Sequence, residues 1–242
     1  MSTESSGYYI EDLDSLPVEL LAAVYKEIPR PIATVFARCH KLSAWLGWRT
    51  RATHAIKFPS PMQWRTDDPP VAAQSLWSLW LEQLDDHGYE TIGWTESQFI
   101  GDHANANLWM TCSDRTQFVQ LNWTSICGTE NGGLCLQCCL ADGTELQTIP
   151  ISDSWESQFI QHYTPDFVHA ASLKTKSFAK LTDLHHSRLG NRQPRSLSHG
   201  EFRKYAQWQR DQCFRYFVQR GVVRKLSDRE VRLILQCSAP AR

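Results

Sequence analysis

Residues 105–151 constrain the fold more than any other part of the sequence. Four runs in this stretch, 107–112, 116–125, 134–141 and 145–151, read as strands separated by turn chemistry. The breaks are Ser113-Asp114-Arg115, then 128–133 with Asn131-Gly132-Gly133, then Asp142-Gly143. Asp-Gly between two alternating runs marks a hairpin, because a tight primed turn needs positive φ, which Gly and Asp tolerate. Period-two reading puts Leu108, Met110, Cys112, Val119, Leu121, Trp123, Leu134, Leu136, Cys138 and Leu140 on a common core side. The opposite side is mixed, with Trp109, Phe118, Gln120, Asn122, Cys135, Gln137 and Cys139. It is too apolar for plain solvent surface and too polar for a deep core, so a helix of this chain, a partner or a ligand is expected to cover part of it.

Around this meander the chain reads as helical. Ser15 caps an expected helix from 16 or 17 to 26, ended by Pro29 and Pro31, and a second helix follows over 32–46. On the second, Ile32, Val35, Phe36, Cys39, Leu42 and Leu46 form one apolar stripe, while its other surface and exit carry Arg38, Lys41, Arg49, Trp45 and Trp48. That pattern fits either a helix packed on the domain with its cations in water or a helix lying in a membrane surface. The proline-rich segment 58–70 separates this helical pair from a helix over 71–86, a first strand at 89–96 and a polar loop at 97–104. Beyond 151, a short strand at 155–160, a helix within 170–189 and a longer helix over 198–220 are expected. Near the end, Ser227 and Glu230 have capping-box spacing, whereas Val231, Leu233 and Leu235 alternate as in a strand. The N-terminal 14 residues read as a loosely ordered arm.

The expected organisation is therefore α+β: an antiparallel meander of about five strands flanked by helices, with an N-terminal helical pair. Its divisions are 1–66 for the arm and pair, 67–189 for the meander domain, and 190–242 for a basic helical extension. Net charge is −1, but residues 1–187 hold 12 Lys and Arg against 22 Asp and Glu, and residues 188–242 hold 13 against 4. The basic segment serves either intramolecular charge matching or an anionic partner such as nucleic acid or a membrane face. No leader pattern opens the sequence and no apolar run reaches spanning length, so a soluble cytoplasmic protein is expected, with peripheral membrane contact as the variant.

Sites of chemistry are sparse. The cysteines Cys135, Cys138 and Cys139 fall mid-strand, with Cys138 on the face opposite the other two, whereas a metal knuckle needs a turn that aims both sulfurs at one ion. They read as small core residues, and no metal or cofactor is expected. The chain has no GxGxxG or GxxxxGK[ST] pattern and no nucleophile elbow.

The order helix, Leu84-Asp85-Asp86-His87-Gly88-Tyr89 with Gly93 soon after, then Leu140-Ala141-Asp142-Gly143-Thr144-Glu145-Leu146-Gln147-Thr148, resembles a group of uncharacterised bacterial proteins. Those proteins carry a leucine-x-x-leucine-Gly-aromatic entry and an Asp-Gly-x-x-leucine-x-Thr hairpin. His87 stands here in place of the second leucine. The resemblance covers 71–189, rests on turn chemistry, and implies no activity.

Three functions follow as expectations. The first is a non-catalytic binding or adaptor module that meets a protein partner or small ligand through the mixed sheet face. The second is a peripheral membrane-surface protein using the helix over 32–46. The third is an enzyme of unknown reaction with Cys135 and Cys139 as its candidates.

Overall fold

The computed structural model describes residues 7–24, 28–46, 48, 52–151 and 154–238. In chain order the elements are β1 (Gly7–Glu11), α1 (Val18–Val24), α2 (Arg30–Trp45), β2 (His54–Phe58), β3 (Gln63–Arg65), α3 (Val71–Asp86), β4 (Glu90–Glu96), β5 (Phe99–Gly101) and β6 (His103–Thr111). They continue with β7 (Phe118–Ile126), β8 (Thr129–Cys139), β9 (Glu145–Ile151), α4 (Ser154–Tyr163), β10 (Val168–Lys174), α5 (Phe178–Leu189), α6 (His199–Gln219), β11 (Val223–Lys225) and α7 (Asp228–Ser238). The protein is α+β with mostly antiparallel sheets, divided into two compact units. One comprises 1–59, 99–102 and 212–242, and the other comprises 60–98 and 103–211.

The larger unit holds a seven-stranded sheet in the order β10-β9-β8-β7-β6-β4-β3. The four strands read from residues 105–151 are its centre, and Leu108↔Leu121 and Met110↔Val119 pair directly, on the common side expected of them. Two strands escape the expected count of about five. Short β3 pairs with β4 at one edge, and β10 pairs with β9 in parallel at the other. A parallel neighbour needs a crossover, and α4 supplies it where a strand over 155–160 was expected.

Turn geometry differs from the sequence reading at two hairpins. Between β7 and β8 the turn is Cys127-Gly128, with φ of 50° and 77°, so both central residues adopt the left-handed conformation of a type I′ turn. Asn131, Gly132 and Gly133 lie within β8, opposite Thr124, Trp123 and Asn122. Gly132 is there for closeness: a Cβ would stand 2.1 Å from Leu76 Cδ2 on α3. The Asp142-Gly143 hairpin forms, but only Gly143 has positive φ, at 84°. Its N–H bonds Leu140 O at 3.0 Å and Leu140 N–H bonds Thr144 O at 2.8 Å, the pattern of a type I turn closed by a glycine bulge.

Alternation along the strands builds two layers. On one face Leu108, Met110, Val119, Leu121, Trp123, Leu134 and Leu136 are buried with Trp77 and Leu84 of α3 and Phe178 and Leu181 of α5. On the other, Ile92, Trp109, Phe118 and Cys139 are buried with Leu197 and with Phe202 and Ala206 of α6.

The smaller unit is a four-stranded sheet, β11-β1-β2-β5, with α1, α2 and α7. The N-terminal helices are thus part of an α+β unit rather than a helical pair apart. The segment expected as a loose arm supplies β1, whose Gly-Tyr-Tyr-Ile-Glu run pairs on both sides, with β2 and β11. Aromatic and β-branched side chains favour such a paired strand. Likewise the loop expected at 97–104 contains β5, which pairs with β2. The basic C-terminal segment is divided: α6 belongs to the larger unit through 211, and its remainder, β11 and α7 belong to the smaller one. At residue 227 the cap decides between helix and strand. Ser227 N–H and Oγ donate to Glu230 Oε2 at 2.9 and 2.8 Å, and α7 follows.

Candidate functional site

The mixed sheet face is an interior surface. Phe118 stacks on Phe202 with centroids 4.1 Å apart and an interplanar angle of 11°, and Trp109 meets Phe202 edge-on at 5.4 Å. Trp109 Nε1 donates to Thr95 Oγ1 at 3.2 Å, which satisfies the indole in its buried setting. Cys135, Gln137 and Cys139 are also buried. Gln120 and Asn122 are half-buried, and Gln120 Nε2 donates to Asn107 Oδ1 at 2.9 Å. The helix expected over 198–220 covers the face through Phe202, Tyr205 and Gln209, a docking that the sequence does not reveal.

Beneath α6 lies a polar cluster that sequence reasoning missed. Glu145, the first residue of β9, has no exposed surface. Tyr205 Oη donates to its Oε2 at 2.6 Å, while Gln147 Nε2 and Gln209 Nε2 donate to its Oε1 at 2.6 and 2.8 Å. Burial pushes the carboxyl up to about 7, although these three donors pull the other way. The one available signal was an acidic residue placed on the mixed face at the start of an alternating strand.

The thiols are poorly placed for chemistry. Burial raises Cys139, with Arg195 and Tyr205 opposing, and burial together with Glu145 pushes Cys138 up to about 12. The nucleophilic thiolate is therefore disfavoured at both. Among the described residues, no three His, Cys, Asp or Glu side chains converge as metal ligands.

Helix α2 presents the contrasting surface. It buries Ala33 and Ala37 at 1% and 0% exposure, so its packing side is the small-residue side. The apolar stripe lies about 150° away round the helix, at 100° per residue. Ile32, Val35, Phe36, Leu42 and Leu46 are all at least half exposed, Cys39 is exposed, and Trp45 and Trp48 are 80% and 75% exposed. Arg38 is exposed and has no hydrogen bond or ion pair among the described residues. Lys41 donates from Nζ to Asp14 O, and His40 Nε2 lies 2.7 Å from Asp14 Oδ1. Arg49 lies outside the described residues. From 28 to 59 the sequence has six Lys and Arg and no Asp or Glu. No helix among the described residues is long and apolar enough to cross a membrane.

No family model matches the chain, and neither a curated protein nor a solved structure matches it significantly.

Proposed function

We propose that this protein works without catalysis as a peripheral membrane protein, laying α2 in the surface of an anionic bilayer. The observation that carries the reading is the inverted packing of α2, which buries alanines and leaves a stripe of large apolar side chains exposed beside Arg38, with Lys41 nearer the packed side. A helix in a bilayer interface needs this division: an apolar face for the acyl boundary, cations for the headgroups and tryptophans for the level between them. At 16 residues α2 is about 24 Å long. That length suits lying in the plane.

The magnitudes favour reversible attachment. Covering the exposed part of each large apolar side chain contributes on the order of 1 kcal/mol. Each cation near an anionic surface adds about 1 kcal/mol, screened by salt. Loss of translational and rotational freedom opposes both.

An adaptor acting through the mixed sheet face would first have to lift α6 away from Phe118 and Trp109. The cost of exposing that aromatic cluster makes it the weaker reading. An enzyme built on Cys139 would need a thiolate where burial disfavours one, and Cys135 is buried in the same face.

Sedimentation with vesicles tests the reading. Vesicles containing phosphatidylserine should carry the protein down at low salt and release it at high salt, and pure phosphatidylcholine should bind less. Arg38→Glu with Lys41→Glu should weaken binding at least tenfold. Unchanged binding by that double variant, or no binding to either vesicle, refutes the proposal.

A further inference from the structure

A cavity of about 550 Å³ opens in the larger unit, lined by Leu146 of β9, by His169 of β10, by residues at and beyond the end of α4, and by Arg188 and Arg192 at and beyond the end of α5. Its size falls in the range of about 300–1,000 Å³ that holds small molecules. Arg188 is fixed at its wall. Its Nη1 donates to Gln147 O and, at 3.1 Å, to Thr148 Oγ1, while Nη2 donates to His169 O at 2.6 Å. The fork thus bridges the parallel strands β9 and β10, and two of its five N–H groups, on Nη2 and Nε, have no partner among the described residues.

The arginines on this wall have no ion-pair partner within 4 Å among the described residues, and Arg192 is exposed. Burial, and then the nearby Arg192, lower Arg188 below the usual guanidinium range. Asp166 also lines the cavity, and the exposed Asp142, outside the lining, is near enough to His169 and Arg192 to feel their charge. An anion entering between these groups would accept the open N–H donors and relieve the repulsion between two guanidiniums. Two arginines in this relation favour a planar or tetrahedral oxyanion over a neutral ligand.

We propose that this cavity binds a small organic anion, whose phosphate or carboxylate engages Arg188 and Arg192. The site gives the start of the basic segment a role separate from the membrane surface of α2. It needs no change in the fold, because Arg188 is already held by β9 and β10.

Isothermal titration with inorganic phosphate and with citrate, at matched ionic strength, tests the proposal and distinguishes the two oxyanion chemistries. Millimolar or tighter binding of one probe is expected, weakened at least tenfold by Arg192→Gln, whose side chain is exposed and can be lost without disturbing the fold. Arg188→Lys keeps the charge but loses the fork, and should also weaken binding. Arg38→Glu with Lys41→Glu should leave it intact, so that this site and the α2 surface fail independently. Equal affinity in the wild type and Arg192→Gln, or no binding of either probe at millimolar concentration, would overturn the proposal.

Discussion

Glu145 is a carboxylic acid placed where its type is rarely found. Its carboxyl is fully buried, accepts three hydrogen bonds, and is pushed by burial from 4.5 up to about 7. A folded-state value above the unfolded one means that the folded protein binds the proton more tightly. This contribution to stability is therefore full below pH 4.5, falls as pH rises toward about 7, and is gone above it. The change is on the order of 3 kcal/mol. Denaturant unfolding of the wild type at several pH values across that window should show the decline. Glu145→Gln, which cannot ionise, should flatten it. Parallel curves for the two proteins would assign the pH dependence elsewhere. Gly132 is a second residue under local compulsion, because even a methyl group meets Leu76 at 2.1 Å and Asn122 O at 2.9 Å. Gly132→Ala should cost about 1–3 kcal/mol in denaturant unfolding through displacement of α3 from the sheet. A neutral result would mean that Leu76 moves aside freely.

Among the elements, α7 shows how a local signal overrules a competing period. Val231, Leu233 and Leu235 alternate as in a strand, yet the reciprocal bonds of Ser227 and Glu230 start a helix. Arg224 Nη2 lies 2.8 Å from Glu230 Oε1, and this partner, with the Ser227 donors, pulls the carboxyl down to about 2. A depressed carboxyl stabilises the fold above pH 4.5, and its contribution is lost as pH falls through about 2. Glu230→Ala should cost about 1 kcal/mol at neutral pH, discounted for the exposure of the pair, and nothing at the acid end. Circular dichroism of the variant and wild type through an acid titration checks both arms.

The same contrast explains what was legible. The strands over 107–151 were readable because turn chemistry and alternation are properties of neighbours in sequence. β3, β5 and β10 were not, since three-residue strands and a parallel pairing owe their existence to distant partners. The glycines of β8 misled because Asn-Gly-Gly marks a turn locally, whereas here it makes room for a helix. On the site, residue types were legible but burial was not. Nothing in the period of the mixed face says that Phe202 will stack on Phe118.

At the scale of the whole molecule, the unusual property is where apolar surface has been left. The larger unit covers both sheet faces with its own helices, and α2 of the smaller unit turns its large apolar residues outward. If the stripe is a docking surface, its side chains contribute little to folding, because they are already in water. Val35→Glu with Leu42→Glu should then change unfolding stability by no more than about 0.5 kcal/mol, the usual limit for surface substitutions. The same variant should lose its binding to phosphatidylserine vesicles. If the stripe were instead packed in the folded protein, two buried carboxylates would cost several kcal/mol and unfold the smaller unit. A second copy of the chain is the remaining occupant, and sedimentation velocity separates it. A lipid-facing stripe leaves the wild type and variant monomeric at the same protein concentration. A dimer that dissociates in the variant, without vesicle binding in the wild type, would transfer the surface from lipid to self-association.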